Sequence, residues 1–153
     1  MLLFSFVFAC STNDEEDVYT YEFYENSQLS ITQIDGSYMK FGTISTGENL
    51  VFKYSFIRDD DEQIADDEYA EFIHFEVDSN LDNFLIKDDE LETAKTIFTK
   101  YCFCFFSDDD EKNVIPAGSI SGEKIATNKW KITFDVTFYG DENRKFEAIF
   151  TLK

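Results

Sequence analysis

Thirty-two acidic residues stand against thirteen basic ones in a chain of 153, a formal charge of −19. Such a surface repels phosphate backbones, which removes nucleic acid from the classes of partner. A single proline and 43% apolar residues exclude collagen-like and disordered chains, and the length predicts one domain that buries about 70% of its unfolded surface, with no metal or disulfide required.

The chain opens on an uncharged apolar run over residues 1–9 that stops at Cys10. Nine residues are too few to span a bilayer but match the apolar core of a secretory leader. Ser11 to Asp17 then switch abruptly to polar and acidic residues, which cannot bury apolar surface. This junction resembles a bacterial lipoprotein signal, in which a small residue, here Ala9, precedes the cysteine that is lipidated after cleavage, with Val7 at the aliphatic position. The stretch Asn13 to Asp17 is similar to the export signal of surface-exposed lipoproteins in gram-negative bacteria. The resemblance implies a leader over 1–9, a lipidated Cys10 with an acidic tether over 10–27, and a single domain over 28–153. It also implies attachment to the outer membrane, at the cell surface or on the periplasmic face. Acyl chains contribute about 0.8 kcal/mol per buried methylene, so several together hold even an anionic domain at a membrane. The competing reading of Leu2 to Phe8 is a buried first strand.

Beyond the acidic run, Tyr19, Tyr21 and Phe23 alternate with Thr20 and Glu22, the pattern of an edge strand or of a stacking surface for a sugar. Strands are predicted over 29–34, 38–44, 50–57 and 71–78, where Ile73, Phe75 and Val77 share a face, with Asp35-Gly36 and Gly47-Glu48-Asn49 as turns. Leu91, Ala94, Ile97, Phe98 and Tyr101 fall at helical spacing behind Asp88 and Asp89, which predicts one helix of about three turns over roughly 88–100. Residues 119–126 read as a further strand. From Lys129 onward the alternation is complete, with Trp130, Ile132, Phe134, Val136 and Phe138 on one face. After the turn residues Gly140 to Asn143, Phe146, Ala148, Phe150 and Leu152 alternate again. Many short strands, one helix and no βαβ alternation define a mainly β fold, an antiparallel sandwich or partly open barrel.

Candidate sites are few. Cys102 and Cys104 flank Phe103, and residues two apart in a strand share a face, so both sulfurs project together. Their Cα atoms would lie about 7 Å apart, at the limit of disulfide geometry, unless a turn or bulge brings them closer. They are candidates for a local disulfide or for redox chemistry, although Asp108 to Glu111 nearby would raise their thiol pKa values and so oppose reactivity. A zinc site needs further ligands, and the one imidazole, His74, is predicted on a strand face with Phe72 and Glu76 as an ordinary surface pair. The acidic runs at 59–62, 66–68 and 108–111 offer oxygen ligands without the spacing of an EF-hand. Gly118-Ser119-Ile120-Ser121-Gly122 has isoleucine where a nucleophile elbow needs serine.

Gly118, Ile120, Gly122 and Trp130 complete a resemblance to small surface-type lipoproteins that carry a single β-rich domain. It implies location and architecture but no activity. The expected function is therefore a membrane-anchored, non-enzymatic binding or structural domain without cofactor or catalytic set, its partner a protein or a glycan. The alternative is a thiol–disulfide or metal-dependent function centred on Cys102 and Cys104.

Overall fold

A computed structural model describes residues 16–33, 39–59, 68–102, 115–139 and 142–153. In chain order these form β1 (Val18–Gln33), β2 (Lys40–Thr46), β3 (Asn49–Ile57), β4 (Tyr69–Val77), β5 (Asn83–Lys87), α1 (Glu90–Thr93), β6 (Ile97–Cys102), β7 (Ala117–Ala126), β8 (Lys129–Thr137) and β9 (Asn143–Leu152). The strands make one mainly antiparallel sheet in the order β5-β7-β8-β9-β1-β3-β4-β6, with β2 paired to β1 off this path. Its one parallel seam joins β9 to β1 at Glu22–Thr151 and Phe23–Leu152. No helix among the described residues is long and apolar enough to cross a membrane.

Alternation sets the faces. On β8, Trp130, Ile132, Phe134 and Val136 are wholly buried while Lys129 and Thr133 are exposed, so the strand lends one side to the core and one to water. The sheet curls until its two halves face each other, and aromatic rings fill the space between them. Phe52 of β3 meets Trp130 edge-on at 5.7 Å, Phe75 of β4 lies 6.4 Å from Phe134, and Phe98 of β6 stacks on Phe138 at 5.2 Å. Offset and edge-to-face contacts of this kind are the favoured arrangements of aromatic quadrupoles. The sheet does not close, because β5 and β6 remain its two ends. Leu91 of α1 is fully buried beside the core, and Ala94 just after it accepts the Glu76 N–H of β4 at 2.8 Å.

The second half of β1 does something else. Its pairing shifts register between Tyr24 and Ser27, where Asn26 takes a φ of 50°. Gly47 lies across from this bend and donates to the Asn26 carbonyl at 2.9 Å. A Cβ on Gly47 would come within 2.7 Å of the Ser27 backbone, so only glycine allows that approach. Beyond the bend, residues 27–33 pair with β2 as a two-stranded arm. The arm lies on the outer face of the sheet, where Leu29, Val51, His74 and Ile97 are buried outside the main core.

Four expectations need adjustment. The single short helix is present but spans Glu90–Thr93, four residues rather than three turns. Lys95 has a φ of 53° and ends it, and the β-branched run Thr96, Ile97 and Thr99 enters β6 instead. Val18 to Ser27, expected within the tether, are strand. Tyr21 and Phe23 form neither an edge nor a stacking platform, because β1 lies between β9 and β3 there; Tyr21 packs inward on Tyr54 and Phe150, both at 5.4 Å, and Phe23 is fully buried, while Tyr19 stays 56% exposed beside Phe56. His74 is buried rather than a surface residue. The leader, Cys10 and the acidic residues up to 15 lie outside the described residues.

Candidate functional site

Two ends of the curled sheet differ in chemistry. At the end where β4 begins and β6 stops, charged side chains occupy core-facing positions. Glu71 lies on the parity of Ile73 and Phe75, Lys100 is its cross-strand partner, and Arg144 precedes Phe146 on the inward face of β9. Arg144 grips Glu71 with both sides of its guanidinium, Nε to Oε2 at 2.8 Å and Nη2 to Oε1. Its Nη1 donates to Glu142 at 2.9 Å, and Lys100 bonds the other Glu142 oxygen. The Tyr69 hydroxyl donates to Glu71, and the guanidinium lies 4.7 Å over the Phe98 ring. Bidentate carboxylate pairing and ring stacking are what arginine offers over lysine.

Electrostatics follow from this packing. Burial works against the charges of Arg144 and Glu142, but their mutual bonds, together with Glu71 and Lys100, outweigh it. Arg144 is held above its ordinary pKa and Glu142 below its own. Burial, and then the Glu71 carboxylate, raise Tyr69 and Tyr54 well above ordinary phenols. Arg144, Glu71, Glu142 and Lys100 are thus committed to one another, a polar plug at this end of the core.

Cys102 sits at the last position of β6, half-buried and across from Tyr69. It is disulfide-bonded, so its thiol is not free; the chain's other two cysteines, Cys10 and Cys104, lie outside the described residues. The acidic runs 108–111 and most of 59–62 and 66–68 lie outside them too. Among the described residues no three His, Cys, Asp or Glu side chains are grouped to hold a metal ion.

His74 belongs to the outer layer. Gly42 of β2 lies against its ring, where a Cβ would come within 3.0 Å of both the imidazole and Leu29 of β1. Burial first, and then the charge of Lys53, push its pKa down to about 4, so the ring is neutral at pH 7. Its expected companion Glu76 bonds elsewhere. The carboxylate accepts the Leu29 N–H, the Asn49 side chain at 2.7 Å and Lys95 at 3.0 Å, while Lys95 also donates to the Leu29 carbonyl at 2.9 Å. Glu76 and Lys95 thus pin the arm by its backbone. Burial opposes the Glu76 charge, yet these bonds keep its pKa below the usual carboxylate value.

The opposite end is open. A groove of about 460 Å³ runs between β5, α1 and the turn after β4, lined by Val77, Leu81, Phe84, Leu85, Ile86 and Ala94 with Asp78 and Glu90 among them. That volume is within the range of ligand clefts. Leu81 and Leu85 remain 39% and 57% exposed, the groove's uncovered apolar rim. Single-sequence alternation gives no hint of it, because it is assembled from segments whose approach depends on how the sheet curls.

Compared with protein-family models, curated proteins and solved structures, the chain finds no match.

Proposed function

We propose that this chain is a lipoprotein, held to the outer membrane by a lipid on Cys10, whose β-rich domain is a non-enzymatic binding module. The observation that carries the binding part is the open groove beside β5, set against a far end where Arg144, Glu71, Glu142 and Lys100 pair with one another. The anchor rests on the sequence, where an apolar run stops at Cys10 and gives way to acidic residues. The fold suits it, since β1 starts at the charged end, where Val18 pairs with Ile57. A lipid eight positions earlier would attach the domain from that end of the sheet. Cys10→Ala is expected to move the domain from the membrane to the soluble fraction with its thermal unfolding unchanged; retention in the membrane refutes the anchor.

A second reading, thiol–disulfide exchange at Cys102 with Cys104 or metal binding there, is favoured by the disulfide at Cys102. It requires a bond that mild reductant opens in the folded protein. Thiol labelling that rises only in denaturant, together with no zinc uptake by the reduced chain, removes it.

A further inference from the structure

Among the described residues, β5 has a strand neighbour on one side only, β7. The Lys124 N–H donates to the Asp82 carbonyl at 2.9 Å and the Asp88 N–H to the Gly118 carbonyl at 3.0 Å. Antiparallel ladders alternate bonded and unbonded positions, so Phe84 and Ile86 also bond β7, and the backbone groups of Asn83, Leu85 and Lys87 point to the free edge. The Glu90 carboxylate occupies the Lys87 N–H at 3.0 Å. Nothing among the described residues bonds the N–H and C=O of Asn83 and Leu85 on that side.

That edge borders the groove. Its lining is apolar at Val77, Leu81, Phe84 and Ile86, acidic at Asp78 and Glu90, and contains no Lys or Arg. The groove's third acid, Glu76, is already paired with Lys95. Neither Asp78 nor Glu90 meets a cation among the described residues; Asp78 accepts from Asn80 at 2.8 Å and Glu90 from Lys87. The one cation on β5, Lys87, sits at the strand's end outside the lining.

We propose that this groove takes an extended segment of a partner polypeptide, with alternating apolar and basic residues, which joins β5 as an added strand. The inference rests on the binding-module reading and names the ligand class of its groove. An added strand satisfies the open donors and acceptors of Asn83 and Leu85, the mode in which exposed sheet edges capture peptides. Strand geometry sends alternate side chains to opposite faces. Apolar ones on one face reach Phe84 and Ile86, and basic ones on the other emerge on the side of Leu85, near the Glu90 carboxylate that bonds the Lys87 N–H. Charge selects the partner, since a chain of net −19 repels an acidic peptide or a second copy of itself. The sheet's other end is less available, because the Thr99 hydroxyl of β6 donates to the Lys40 carbonyl of β2 at 2.6 Å.

The test uses the full chain and three synthetic seven-residue peptides: a Lys-Val alternating sequence, its Glu-Val counterpart, and the Lys-Val peptide with alternate amides N-methylated. Calorimetry is expected to detect only the first, with affinity that falls as salt rises, and with slowed exchange of the Asn83 and Leu85 amides. The Asp78→Asn, Glu90→Gln double variant keeps both acceptors and is expected to bind about tenfold more weakly. Binding of the Lys-Val peptide with protection elsewhere, or undiminished binding of the N-methylated peptide, overturns the site while leaving a binding module. No binding of any peptide at millimolar concentration overturns the inference, and the Cys10→Ala fractionation is independent of that result.

Discussion

At the end built on Glu71, Arg144, Glu142 and Lys100, each carboxylate faces a cation inside the sheet. At the other end, Asp78 and Glu90 stand beside an apolar hollow and pair with no cation among the described residues. The difference teaches how to read charge in so acidic a chain. Carboxylates that sit on core parity and carry paired, bidentate partners hold the fold together, while those beside uncovered leucines remain available to something outside it. A buried pair is poor evidence of net stabilisation, but breaking one is costly.

That asymmetry gives the largest expected effect. Arg144→Ala leaves the Glu71 carboxylate buried without its partner, at about 3–5 kcal/mol, whereas Asp78→Asn at the open end should leave the urea midpoint unmoved. Near-equal midpoints for the two variants would erase the distinction between the ends. Next comes acid. The unfolded chain binds a proton at His74 near pH 6.5, and the folded one only near 4. The unfolded state therefore holds more protons across that window, and stability falls as pH drops from about 6.5 to about 4, by roughly 3 kcal/mol in all. Glu142 titrates below its usual value, so its own pairs with Arg144 and Lys100 persist through most of this range. His74→Phe should flatten the slope; an unchanged slope assigns it elsewhere.

A smaller effect is expected at Gly122. A Cβ there would come within 2.3 Å of the Phe84 ring, so Gly122→Ala pushes a groove residue aside at about 1–3 kcal/mol, read by the same urea titration. The smallest is Lys131→Ala. Its ion pair with Glu147 at 2.9 Å is solvent-exposed, and its loss should cost less than about 1 kcal/mol.

Much of this architecture was legible from local pattern. The alternation of Trp130 to Phe138 and of Phe146 to Phe150 placed β8 and β9 and their inward faces. The helical period of Leu91, Ala94, Ile97 and Phe98 overstates the helix because the left-handed Lys95 ends it and the β-branched Thr96, Ile97 and Thr99 favour a strand. His74 was misplaced because alternation gives the face of a strand but not what later lies on it; here a distant arm does. The polar plug left a usable trace in Arg144, which continues the inward parity of Phe146, Ala148 and Phe150, so a cation at a core position announces a buried anion. Which anion was not readable, since Glu71 lies 73 positions away. The groove left none.

The parallel seam has a consequence for assembly. It joins Thr151 to Tyr21 across 130 positions of chain, whereas β7, β8 and β9 form a meander of immediate neighbours. Closing so long a loop is entropically expensive, and contacts of that range form slowly. Local pairing within each half of the sheet is therefore expected to precede the seam, leaving core phenylalanines exposed until it forms. Until then a half from a second chain offers the same seam, opposed by the mutual repulsion of two chains of net −19, so an interleaved dimer with exchanged halves is the misassembly this topology invites at high concentration and high salt.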